Sequence, residues 1–91
     1  MDHTFSYDEL YGVSLTEYYD YLDKHIEWTT ASDVIPQIVK CEIEMLEHNY
    51  KENFAKRNIE LNEYEQQLAI AIQKLLDKKR KHLKRLLNWK Q

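Results

Sequence analysis

The stretch VIPQIVKCEIEMLEHNYKENF, residues 34–54, decides the fold. Within it Ile35, Val39, Ile43, Leu46, Tyr50 and Phe54 follow one another at spacings of four, four, three, four and four, and Ile38 and Met45 widen the stripe. Apolar residues so spaced fall on one face of an α-helix. Just upstream, Thr29-Thr30-Ala31-Ser32-Asp33 carries no such stripe and ends in two good N-cap residues. A helix is therefore expected over residues 33–56. Pro36 then sits in its first turn, where an amide proton would have no partner in any case.

Toward the N-terminus, two helix starts lie eight residues apart. In Phe5-Ser6-Tyr7-Asp8-Glu9-Leu10 the Ser6 hydroxyl can accept from the Glu9 amide while Glu9 reaches back to the Ser6 amide, and Phe5 and Leu10 are placed as a hydrophobic staple. Val13-Ser14-Leu15-Thr16-Glu17-Tyr18 repeats the arrangement, and Gly12 falls between them where a left-handed cap is wanted. The echo reads as two capping boxes rather than a duplicated recognition motif. It predicts a short helical segment within residues 1–13 and a helix over 14–28. The apolar face of that helix is Leu15, Tyr18, Tyr19, Leu22 and Ile26, and Tyr21, His25 and Trp28 share a flank.

Toward the C-terminus the stripe runs on through Arg57, Leu61, Tyr64 and Leu68, yet Asn58 and Asn62 are plausible caps and Asn62-Glu63-Tyr64-Glu65 is a weak capping box behind Leu61. A single rod could not bury its own stripe. A short turn near 57–61 is therefore expected, then a helix over 62–89. Leu68, Ile72, Leu75, Leu76, Leu83, Leu86 and Leu87 line one side of it, and Lys74, Lys78, Arg80, Lys81, Lys84 and Arg85 the other. Lys79 points into the apolar side. Either its aliphatic stem crosses a packed seam, or the helix has left the core by then. The expectation is one all-α domain over residues 1–91: a small three-helix bundle with a short N-terminal helical turn and a long basic C-terminal helix extending past the core.

One glycine and one proline in 91 residues leave few tight turns and no glycine-built phosphate loop, which excludes P-loop and dinucleotide-fingerprint chemistry. Cys41 stands alone, so no internal disulfide forms. No stretch approaches the ~20 apolar residues of a membrane span, and the acidic, tyrosine-rich first twenty residues do not read as a signal peptide. The expected compartment is the cytoplasm, that of a host cell if the chain is phage-encoded. No His-Glu-x-x-His, Cys-x-x-Cys or Gly-x-Ser-x-Gly occurs. Cys41, Glu44 and His48, with His25, are metal-ligand types at helical spacing, but a small buried thiol beside surface imidazoles is the plainer reading. No catalysis, cofactor or metal is expected.

The formal net charge of −3 hides an asymmetry: residues 1–33 carry −7, residues 34–73 carry −3 and residues 74–91 carry +7. Three modes of binding follow. The favoured one is a regulator, inhibitor or adaptor that docks a protein partner through Tyr7, Tyr11, Tyr21, His25 and Trp28 amid Asp20, Asp23 and Glu27, since tyrosine and tryptophan anchor interfaces and carboxylates steer a basic partner. In its sharpest form the carboxylates mimic nucleic-acid phosphates, as in phage-type inhibitors, an analogy of composition alone. The alternative is nucleic-acid binding within residues 74–90 by Lys78, Arg80, Lys81, Lys84 and Arg85, against which stands pairing of that basic helix with the acidic first one. The last is a homodimer or assembly component, for Leu61, Leu68, Leu75, His82 and Trp89 recur every seven residues.

Overall fold

In the computed structural model, which describes residues 5–55 and 60–89 (Trp89 by its backbone alone), every regular element is helical. Ser6 caps α1 (Tyr7–Tyr11): the Glu9 amide donates to Ser6 Oγ at 3.4 Å and the Ser6 amide to Glu9 Oε1 at 3.0 Å. Gly12 ends the helix at φ 72°, its amide donating to the Asp8 carbonyl at 2.9 Å. Glycine is required there twice over. The backbone is left-handed, and a Cβ would lie 2.6 Å from Asn49 Oδ1.

Ser14 caps α2 (Leu15–His25) in the same way. This helix stops three residues short of Trp28, because Gln37 takes hold of the backbone beyond it. The Glu27 amide donates to Gln37 Oε1 at 2.8 Å, and Gln37 Nε2 donates to the Glu27 carbonyl at 3.3 Å. Both polar groups of that peptide segment are thereby taken from the helical ladder.

α3 (Ala31–Tyr50) starts earlier than its caps suggested. The Asp33 and Val34 amides donate to the Thr30 carbonyl, so Ser32 and Asp33 lie inside the first turn and buried Pro36 falls in the second. The amide proton that Pro36 lacks would have served the carbonyl of exposed Ser32, which water can reach. α3 runs on into a π-helical turn, Lys51–Ala55. Most of the expected turn at 57–61, with Arg57 and Asn58, lies outside the described residues. Asn62 then caps α4 (Glu63–Trp89), accepting from the Glu65 amide at 2.8 Å while its own amide donates to Glu65 Oε1.

α3 is the centre of a small all-α bundle: α1, α2 and α4 each pack on it, and α1 also meets α4. The core joins Tyr11, Leu22, Ile26, Val39, Ile43, Met45, Leu46, Leu68, Ile72 and Leu76. Leu46 and Ile72 keep no accessible surface; burying each contributes about 1.5–3 kcal/mol. α4, about 40 Å long, runs the length of a molecule measuring 44 × 26 × 26 Å. Past Leu76 its apolar side is carried by half-buried Leu83 and Leu86, which still pack against the edge of that core, and only beyond them does the helix run past it.

Leu15, Tyr19, Ile35 and Leu87, expected on apolar core faces, are exposed instead, as is Tyr64 on the continuing stripe. α1 occupies the flank of α3 near Glu42 and Asn49, where Tyr11 and Leu10 bond, so the N-terminal half of α2 has no core beneath Leu15 and Tyr19. Ile35 and Leu87 lie at helix ends, beyond the reach of a covering neighbour.

Candidate functional site

The polar centre of the molecule is Glu42, on the middle of α3 and buried. Tyr11 and Tyr18 each donate a hydroxyl to its Oε2, at 3.2 and 3.0 Å, and Lys79 Nζ donates to its Oε1 at 2.8 Å. Burial first, and the Glu42 carboxylate second, push both tyrosine hydroxyls far above their ordinary range, so they remain protonated donors. Lys79 thus follows neither course expected of it: its ammonium turns inward to a carboxylate on α3. Beside this network Asn49 donates to the Glu9 and Leu10 carbonyls at 3.2 and 2.8 Å and ties α1 to α3. Among the described residues no buried side-chain nitrogen or oxygen lacks a partner.

Over this floor the tyrosine rings spread to the surface. Tyr7 stacks on Tyr11 with centroids 5.2 Å apart and meets Tyr18 edge-on at 5.9 Å; Tyr18 meets Tyr19 at 5.4 Å. Tyr7 and Tyr19 are each 56% exposed. On the far side of Tyr7 a groove of about 290 Å³ opens between α1 and α4, lined by Phe5, Leu10, Leu75 and Lys79. It adjoins a second, of about 400 Å³, along the α4 flank at Leu75, Lys78, Lys79, His82 and Arg85. One face therefore carries an aromatic centre between the edge of α2 and the basic flank of α4.

The residues proposed from sequence for partner binding separate in space. Tyr11 belongs to the core. Tyr21 is half-buried and donates to Glu44 at 2.6 Å, a bond that, with burial, pushes its hydroxyl up to about 12. His25 stacks on Tyr21 with centroids 4.1 Å apart. Trp28, 56% exposed, has left the helix and sits in the connection to α3. Tyr7, Asp20, Asp23 and Glu27 are exposed, and those three carboxylates have no ion-pair partner among the described residues. Leu15 and Tyr19, expected on the apolar face of α2, are exposed as well. Their periodicity carries no warning of this; the signal available was the pair of capping boxes, which crowds two helices onto one end of α3.

The basic residues divide as well. Arg80 pairs with Glu47 of α3 at 3.0 Å and Lys81 with Asp77 of its own helix at 3.1 Å. Lys78, Lys84 and Arg85 have no carboxylate partner among the described residues. The described ion pairs of α4 thus run to α3 and to itself, and the expected pairing with the acidic first helix is replaced by these. Cys41 is buried, which pushes its thiol pKa up, and Glu44 is occupied by Tyr21. No three His, Cys, Asp or Glu side chains among the described residues are grouped to hold a metal ion, and no described helix is long and apolar enough to cross a membrane. Trp89, the last member of the sevenfold repeat, has its side chain outside the described residues. In comparisons with protein families, with curated proteins and with solved structures, nothing matches this chain.

Proposed function

We propose that this chain is a non-catalytic regulator or adaptor that docks a basic protein surface through the outer edge of α2 and the connection after it. The observation that carries the reading is the exposure of Tyr19 and Trp28, 56% each, on a segment whose carboxylates Asp20, Asp23 and Glu27 have no ion-pair partner among the described residues. Large exposed rings supply contact area at small entropic cost, and the carboxylates speed encounter with a cation-rich partner. Tyr19→Ala with Trp28→Ala should keep the helical dichroism of the parent and abolish capture of its partner in a nuclease-treated pull-down. Capture undiminished by the double substitution refutes the reading.

A second reading, nucleic-acid binding by α4, is favoured by Lys78, Lys84 and Arg85, cations without a carboxylate partner among the described residues. Phosphate neutralisation there makes retention fall steeply with salt. A folded Lys78→Ala/Lys84→Ala/Arg85→Ala variant that retains DNA or RNA as the parent does, or a parent that retains none at low salt, removes this alternative.

A further inference from the structure

We infer that the basic surface received by the acidic edge of α2 is the α4 flank of a second copy of this chain, in a two-fold dimer; the inference rests on the docking reading above. Tyr7 supplies the geometry. Its ring touches Tyr18 of α2, and it lines a groove with Leu75 and Lys79 of α4, so the edge of α2 and the flank of α4 border the same face. The centre of that face is apolar, with Tyr7, Tyr19 and Leu15, which stands four residues before Tyr19 on α2. On the α2 side Asp23 stands four residues after Tyr19, hence next to it on the helix surface, with exposed Asp20 adjoining; on the α4 side Lys78 and Arg85 line the groove. A copy turned by 180° about an axis through the centre sets rings on rings and acid against base twice, the self-complementarity that an isologous contact demands.

Within one chain this complementarity goes unused, because the described ion pairs of α4 are made with α3 and with itself. The chain also exposes more surface than its mass calls for. Its accessible area is 6847 Å², against roughly 5,700 Å² for a compact monomer of this mass. The excess of about 1,200 Å² is larger than the roughly 800 Å² each partner contributes to a standard interface. The radius of gyration, 14.5 Å, likewise exceeds the roughly 12 Å of a compact chain of this length.

Sedimentation equilibrium over a hundredfold concentration range tests the dimer, with helicity checked by dichroism. The parent mass should climb from 11.1 kDa toward twice that, less readily at high salt. Tyr19→Ala should weaken association about tenfold or more. Asp20→Lys/Asp23→Lys has two basic borders and Lys78→Glu/Arg85→Glu two acidic ones, so each alone should remain monomeric. Mixed, they should form a one-to-one heterodimer, because every border again meets its opposite. A mixture that stays monomeric overturns the inference, as does a parent monomeric throughout the range at low salt. If such a parent still loses its captured partner on Tyr19→Ala/Trp28→Ala, only the second copy is discarded. A parent that dimerises regardless of all three variants uses another face, and the inference falls.

Discussion

Removing the ammonium from the buried pair, by Lys79→Met, should destabilise the protein far more than removing the charge it serves. Glu42 is 7% exposed at its side chain and Lys79 22%, with 2.8 Å between them. Breaking a buried pair by deleting one member costs about 3–5 kcal/mol, because the remaining charge is left desolvated. Here Glu42 keeps the tyrosine hydroxyls as donors and the lysine site admits some water, so the cost falls to about 2–3 kcal/mol. That is a large part of the roughly 5–14 kcal/mol available to 91 residues. Glu42→Gln retains an acceptor for Tyr11 and Tyr18 and frees a lysine that can reach solvent, costing about 1 kcal/mol. In the double variant a neutral amide needs no counter-ion, so Lys79→Met should cost little once Glu42→Gln is in place. Urea unfolding followed at 222 nm, with slopes compared across the cycle, measures each value. Strict additivity, or Lys79→Met within 0.5 kcal/mol of the parent, refutes the claim that Glu42 depends on Lys79.

Gly12→Ala should lose about 2–3 kcal/mol, through the left-handed backbone and the collision with Asn49, and lower Tm by on the order of 10–20 °C in a thermal scan. The Tyr21 hydroxyl, raised to about 12 by its bond to Glu44, binds its proton more tightly folded than unfolded. Its contribution is therefore complete below pH 10 and is lost as pH rises from there to about 12. Tyr21→Phe should flatten that part of the alkaline unfolding curve measured by dichroism, and an unchanged curve contradicts the assignment. Cys41, buried and with its thiol pKa pushed up, should react with an aromatic disulfide reagent only at the rate of unfolding. Fast labelling in native buffer would place the thiol at the surface.

The local elements were legible because their causes are local. Ser6, Ser14 and Asn62 start helices through bonds spanning three residues, and Gly12 ends one because of its own backbone. The failures share a cause as well. Trp28 lost its helix to Gln37, which binds the Glu27 backbone ten residues before it. Leu15 and Tyr19 lost their cover because α1 had taken the place on α3. Glu42 and Asn49 look like surface residues in the sequence, and only the convergence of Tyr11, Tyr18 and Lys79 on one, and of two α1 carbonyls on the other, makes their burial tolerable. Of the residues proposed from sequence for partner binding, Asp20, Asp23, Glu27 and Trp28 are exposed and Tyr11 lies in the core, whereas Tyr19, expected on the apolar face of α2, is exposed.

By itself the sequence determined that this chain is helical, where most of its helices begin, and that its two ends carry opposite charge. Those properties depend on hydrogen bonds within a turn, apolar repeats near 3.6 residues and a count of ionisable groups. Tertiary structure alone decided which aromatics stay buried, which cations are spent on internal carboxylates and which face is left carrying both signs. Those outcomes depend on contacts between residues 24 to 40 positions apart, and no spacing within a single helix encodes them.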